Sequence, residues 1–413
     1  MRVFDCDVVI VGGAVAGASL ACHLRDTGLK VLLLEATKKP RTMNRGDGLS
    51  AATVEHLSAL GVIPSLEKRG AIRINQWTAI DPEGGTFAHL KMADMLRAPF
   101  NYGLSIQHHL IEEALIETAL SGRDGNIEFI RDFLVRDVLK NDQGQVIGVV
   151  GKHGGEAAEV HAKLVAGCDG PTSVVRTKTG IQTNPEVMPY EFFMLTCTRD
   201  PAQPADLLVE IWGKDRFCGV YPVGENTVRC PIQAHAADLV RWKTIRFDEI
   251  HQELIAAHPK FATMTPLHHD LHFYRVTRHH AEQYVADGIV LTGEAVHCTP
   301  PFYGMGMTMA IRDGYYVSRL VVDLLKAGKV LRREDLLPYE QQCRAFNEFS
   351  IEAAVEYSQV AATGIPTRVG IDEAMKRSTA LDPGVIEALF GHFDTPFMQY
   401  KKPAEVSSRL SRA

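Results

Sequence analysis

The stretch "VVIVGGAVAGASLACHLRDTGLKVLLLE", residues 8–35, constrains the fold most. An apolar run reaches Gly12, a helical pattern covers 15–27, and "KVLLLE" (30–35) is a second apolar run. Continuous apolar runs joined through one helix open a parallel sheet that is covered on both faces. Ala16, Leu20, Ala21 and Leu24 fall on one side of that helix. Gly12 and Gly17 flank the strand-to-helix turn, and Gly13, Ala14, Val15 and Ala16 lie between them. A helix start presents free amides, which suit a pyrophosphate. Glu35 ends the second run near the ~20-residue offset at which an acid accepts ribose hydroxyls. Ala14 departs from the middle glycine of G-x-G-x-x-G. The plain alternative, glycines serving only a tight turn, leaves the strand, helix and terminal acid without a common reason. The motif points to a dinucleotide but does not separate NAD from FAD.

Two further runs end the same way. "LVAGCDGPTSVVR" (164–176) closes on Asp169-Gly170, with Ser173 and Arg176 beyond. Taken alone, Asp169 reads more simply as the cap of the following turn. In "GIVLTGEAVHCTPPFYGMGMTMAIRDG" (288–314), Glu294 follows an apolar run, Pro300 and Pro301 stiffen a turn, and Gly304 and Gly306 open a helix. So much bare backbone at a helix start predicts a flat ring resting on its amides, with Glu294 in reach of polyol hydroxyls. His297 has no partner at metal-ligand spacing and reads as structural; no metal is expected.

The chain has 413 residues, a prior of two or three domains of roughly 150 residues each. A formal net charge of −6 without a basic block argues against nucleic acid and anionic membranes as partners. No apolar run is long enough to span a bilayer, no leader pattern precedes the first strand, and a cytoplasmic location is expected. The eight cysteines form no C-x-x-C pair and sit in apolar runs, as buried free thiols would. Helical patterns appear at about 50–60, from 107, at 304–327 and at 334–358, with a weak one beyond 365. "NDQGQ" (141–145) reads as a hairpin turn. From about 180 to 280 short strands rich in β-branched and aromatic residues predict a second, mostly antiparallel sheet.

The three motifs, in this order, resemble the class A flavoprotein monooxygenases, the para-hydroxybenzoate hydroxylase family, over about 1–345. "LLPYEQQCR" also resembles a segment of that family, whereas "GMGMTMAIRD" and "GGAVAGASLA" locally resemble squalene epoxidases. The resemblance implies an α/β fold: a Rossmann-type FAD-binding domain (1–180 and 281–345), an inserted antiparallel substrate domain (181–280) and a C-terminal helical region (346–413). It implies that Gly12–Gly17 meet the FAD pyrophosphate, Glu35 the ribose and Leu134 the adenine. Arg45 and Gln107 would also contact FAD. Asp169-Gly170 would form the Asp-Gly motif, and Glu294 would replace the usual ribityl aspartate. The backbone of Gly304, Gly306, Met307 and Thr308 would meet the flavin ring. It further implies NADH or NADPH as a transient co-substrate and transfer of one oxygen atom from O2, through a C4a-hydroperoxyflavin, to an aromatic or heteroaromatic small molecule. An isoprenoid or quinone-like substrate is the second reading, and a homodimer is an expectation.

Trp212, Tyr221, Arg229, Phe302 and Tyr303 are candidate substrate contacts, and Pro301 and Tyr221 candidate neighbours of the reaction. For each aromatic, core packing is the plainer reading. A flavin-dependent halogenase would need a Trp-x-Trp-x-Ile-Pro segment, absent with tryptophans only at 77, 212 and 242. A prenyl reductase would carry a different residue at His297. A non-catalytic nucleotide-binding regulator would have no use for the third motif.

Overall fold

The computed structural model describes residues 1–40, 46–96, 98–213, 216–269 and 271–362. The first sheet runs in the order Val285–Ala286, Ile289–Leu291, Glu156–Gly167, Arg2–Val11, Val31–Glu35 and Ile127–Arg131. All neighbours except the first pair are parallel. Val8–Ile10 and Val31–Leu34 are almost wholly buried, as strands covered on both faces must be.

The register aligns Val11 with Gly167 and Leu34, and Gly167 with Leu291. The three motifs therefore emerge together at the carboxyl edge of one parallel sheet. In open α/β sheets that edge is where ligands bind. The strands Phe133–Lys140, Val146–His153 and Glu156–Gly167 form an antiparallel meander, with the expected turn at 141–145.

Helix Val15–Leu24 packs on the helices His108–Leu120 and Met305–Lys326. It is buried nearly all round, not on one side as its pattern predicts, because a helix lies against each flank. Gly314 makes the closest crossing: a β-carbon there would come 3.2 Å from the Leu20 amide nitrogen.

The second sheet has the order His297–Cys298, Phe273–His280, Glu186–Thr198, Thr227–His235, Phe217–Gly224, Leu207–Trp212, Gln76–Ile80 and Thr86–Lys91. It is antiparallel except where Leu207–Ile211 runs beside Gln76–Ile80. The hairpin 76–91 thus lies outside the expected 181–280 segment yet belongs to its sheet. Strand pairing across 130 residues of sequence leaves no local signal. The expected C-terminal region from 346 begins inside the helix Arg333–Ala362, and residues 363–413 lie outside the described residues.

All eight cysteines are free and seven are buried. Burial pushes the Cys22 and Cys168 thiols up to about 12, which keeps them protonated and inert. Among the described residues no helix is long and apolar enough to cross a membrane.

Candidate functional site

A cavity of about 1220 Å³ opens between the carboxyl edge of the first sheet and one face of the second. That exceeds the roughly 300–1,000 Å³ of a pocket for a single drug-sized ligand. There is room for a cofactor and a substrate side by side.

The first turn is shaped by two contacts that only glycine permits. Gly12 has φ +107°, and a β-carbon there would stand 2.3 Å from the Cys168 carbonyl oxygen. A β-carbon on Gly17 would stand 1.9 Å from the Gly12 carbonyl oxygen. Gly12, Gly13, Ala14, Val15 and Ala16 line the cavity, and Gly17 packs behind them. Ala14 takes φ −75°, open to any residue, so the departure from glycine carries no backbone strain. Glu35 also lines the cavity. Its carboxylate accepts from the Gly13 amide at 3.1 Å and from the Thr37 amide and hydroxyl at 2.7 Å. Leu134 lines the same end and is 39% exposed.

The second turn carries Asp169 and Gly170. Asp169 turns its carboxylate onto its own helix start. It accepts from the Ser173 hydroxyl at 2.5 Å and the Val174 amide at 2.7 Å. Burial raises its pKa, and these donors oppose the rise. Arg176 donates to the Ala295 carbonyl at 2.6 Å and to the Pro171 carbonyl at 2.7 Å, tying the second turn to the third. Asp169 and Gly170 both reach the cavity, but the Asp169 carboxylate is occupied as a cap.

In the third turn, Glu294 lines the cavity from a short 3-10 turn, Gly293–Ala295. His297 Nε2 lies 2.7 Å from Asp313 Oδ2, both groups almost wholly buried. The same Asp313 oxygen accepts from the Gly293 amide at 2.9 Å, and Oδ1 accepts from Asn347 at 3.3 Å. Asp313, which the sequence did not single out, thus clamps the turn to two helices. Pro301, Gly304, Gly306 and Met307 line the cavity. Thr308 does not: its hydroxyl meets Thr53 at 2.9 Å and Ser50 at 3.3 Å, which fastens the helix Ala51–Ala59.

Of the candidate substrate contacts, Tyr221, Arg229, Phe302 and Tyr303 line the cavity and Trp212 does not. Trp212 is buried among Phe87, Phe217 and Tyr357. The Arg229 guanidinium is already engaged, donating to Asp47 at 3.1 Å and to Thr196 at 2.6 Å. Asp47 also accepts from the His108 amide at 3.0 Å, so this buried pair joins the second sheet to the flank of the first. Gln107 stands at the N-cap position of the helix His108–Leu120, without a side-chain cap bond and outside the cavity lining, and its neighbour His108 lines it instead. Arg45 lies outside the described residues. Asp47, Glu210 and Tyr357 line the cavity without a sequence motif to announce them.

Beneath Glu294, His279 Nε2 donates to the Glu294 carbonyl, 3.0 Å away. Donation is the only role a carbonyl oxygen permits it, so the neutral ring carries its proton on Nε2. Burial holds the His279 pKa down to about 4, aided by Arg176 and His297 and opposed by the Glu294 carbonyl and carboxylate. A depressed histidine is neutral in the folded state, while the unfolded chain takes up a proton below about 6.5. Its stabilisation is complete above that pH and is lost as pH falls toward 4. The loss expected from His279 is on the order of 3 kcal/mol. Denaturation of the wild type and His279→Gln between pH 7 and 4.5 checks this. The variant's stability should fall less steeply, and parallel curves would reject it.

Residues 5–354 match the family described as "FAD binding domain". The chain belongs to that family, and FAD is its cofactor. It is 27% identical over 316 residues to a rifampicin monooxygenase of Streptomyces venezuelae, covering 75% of this chain and 62% of that protein. The chain therefore spans less than two thirds of that relative's length. It is 24% identical to the 3-demethoxyubiquinol 3-hydroxylase of Escherichia coli, covering 85% of this chain and 88% of that one. In fold it resembles p-nitrophenol 4-monooxygenase from Pseudomonas putida, with a TM-score of 0.78 at 19% identity over 94% and 96% of the two chains.

Proposed function

We propose that the protein is a flavin-dependent monooxygenase that uses NADH or NADPH and O2 to insert one oxygen atom into an aromatic or heteroaromatic small molecule. The observation that carries this reading is the convergence of three strand-end turns and an aromatic sheet face on one cavity. The fit to FAD rests on space. The turn at Gly12 has no room for a side chain, and Gly304 and Gly306 leave bare backbone at a 22-residue helix start.

In this reading the amides at Gly13–Ala16 bind the pyrophosphate and Glu35 the adenosine ribose. Leu134 borders the adenine, and Gly170 and Glu294 flank the ribityl chain. Pro301, Gly304, Gly306 and Met307 border the ring, with helix amides that favour negative charge on it. FAD, when bound, supplies the redox chemistry that activates O2. The chain's own part is to orient the substrate over the ring edge and to exclude water with Phe192, Phe217, Phe302 and Tyr303. The first sheet and its helices form the cofactor-binding part, and the second sheet, with hairpin 76–91, the substrate-binding part.

The test is a visible spectrum of the purified protein followed by NAD(P)H oxidation across a panel of aromatic compounds, with products analysed for added oxygen. A flavin spectrum, substrate-stimulated oxidation and a hydroxylated product are expected. A colourless protein that cannot be loaded with FAD, or turnover that never yields an oxygenated product, would sink the proposal. Glu35→Ala is expected to weaken FAD binding by roughly 1.5–3 kcal/mol, the range for a hydrogen bond to a charged group. Titrating apoprotein with FAD measures it. Unchanged affinity would remove Glu35 from the site.

A further inference from the structure

The second-sheet wall of the cavity carries one carboxylate that the functional reading leaves without a task. Glu210 lies in Leu207–Trp212, lines the cavity and is only partly exposed. Its Oε2 accepts from the Tyr357 hydroxyl at 2.6 Å and from the Trp212 indole at 3.4 Å. Both bonds fall on the same oxygen. The Trp77 indole also donates to this carboxylate, so of its roughly four acceptor sites one remains for a further donor. Across the ladder Glu210 faces Gly219. The Tyr221 ring lies over that glycine, so close that a β-carbon on Gly219 would stand 2.3 Å from the ring. Glu210 and Tyr221 thus share one patch of the wall.

The patch borders the turn assigned above to the flavin ring. Tyr357, the donor to Glu210, packs at a tilt against Tyr303, with centroids 4.7 Å apart, and against Phe302 at 5.2 Å. Tyr303 directly precedes Gly304. A group held at Glu210 therefore sits one aromatic ring from that turn. The surroundings also have a sign. Arg229 is the one cation among the described second-sheet residues that line the cavity, and Asp47 already holds it.

We propose that Glu210 is a substrate-anchoring residue, accepting a hydrogen bond from a hydroxyl or amino group on a flat, neutral or cationic aromatic substrate, and that this pocket disfavours aromatic carboxylates. The inference rests on the monooxygenase reading and narrows its substrate class. Burial raises the Glu210 pKa, opposed by Tyr357 and the Trp77 and Trp212 indoles. That fits a buried acceptor whose charge is stabilised by donors, and a substrate donor would add one more.

The test uses FAD-loaded protein and three matched probes: 2-naphthol, naphthalene and 2-naphthoate. Binding is read from the change in flavin fluorescence. Wild type should bind 2-naphthol roughly tenfold or more tighter than either of the others. Glu210→Gln keeps the shape, removes the charge and adds an N–H donor. It should shrink the preference for naphthol over naphthoate by roughly tenfold or more, with unchanged flavin content. Equal or tighter naphthoate binding by wild type, no response to any probe, or a preference that survives in the variant would overturn the proposal. The wild-type ranking decides even if the variant fails to fold. Failure to hold FAD at all would instead overturn the monooxygenase reading.

Discussion

Asp313→Ala is expected to lower stability by about 3–5 kcal/mol, because it leaves three buried donors without their acceptor, at roughly 1–3 kcal/mol for each unsatisfied group. Asp313 is fully buried, and its two oxygens accept from three donors: the Gly293 amide, His297 and Asn347. Alanine leaves all three buried without their acceptor, and no water channel is needed to explain a large loss. The damage should be directional. The Gly293–Glu294 turn is held to the helix Met305–Lys326 through this carboxylate, so FAD affinity should fall along with stability. Chemical denaturation of apoprotein and holoprotein reads both effects. A loss below about 1 kcal/mol would mean that the network is a by-product of packing, against the roughly 1–3 kcal/mol expected for each buried donor left unsatisfied.

Asp313 also marks the limit of what the sequence discloses. The three strand-end turns were legible because strand, glycine and acid are adjacent in sequence, and the parallel register then brings them together. The partners of those turns are not adjacent. Asp313 lies 16 residues beyond His297 on a helix whose pattern reads only as apolar. Asp47 and Arg229 are separated by 182 residues, and neither reveals that it is neutralised by the other. Arg229 therefore read as a candidate substrate contact, with nothing local to show that Asp47 holds it. Thr308 was grouped by its backbone with the run from Gly304, and nothing local showed that its hydroxyl turns to Thr53. Asp169 shows the reverse: its role as a cap is local, and the sequence carried that alternative from the start. Glu210 was invisible for a plainer reason. An acid between apolar residues on a strand looks like the solvent face of an alternating pattern. Only the fold reveals that this face is the wall of a cavity.

Gly306→Val should leave a soluble, folded protein that has lost flavin function. Two reasons compete for a glycine at this position: close helix packing and close approach of a ligand. Space decides between them. A β-carbon on Gly306 would meet only the Thr299 methyl, at 3.7 Å, an ordinary contact. Gly314 on the same helix would come within 3.2 Å of Leu20, so packing falls there and not at 306. Gly306 faces the cavity beside Gly304, within the first turn of a 22-residue helix whose amides are oriented toward it. Valine's methyls would occupy the volume where the ring is proposed to rest. Intrinsic helix preference does not oppose valine, because glycine, about 1 kcal/mol below alanine, is the poorer helix former of the two. Overfilling a closely fitted site costs roughly 1–3 kcal/mol, or about 5- to 150-fold in FAD affinity. Holoenzyme that does form should waste NAD(P)H and O2 as H2O2, because a displaced ring is poorly shielded from water. Gly306→Ala, with one methyl, should fall between wild type and Gly306→Val. Melting temperature of the apoprotein, FAD affinity and the ratio of product to NAD(P)H consumed are the three readouts. A destabilised variant that keeps wild-type FAD affinity and a wild-type product ratio would assign Gly306 to packing and remove it from the flavin site.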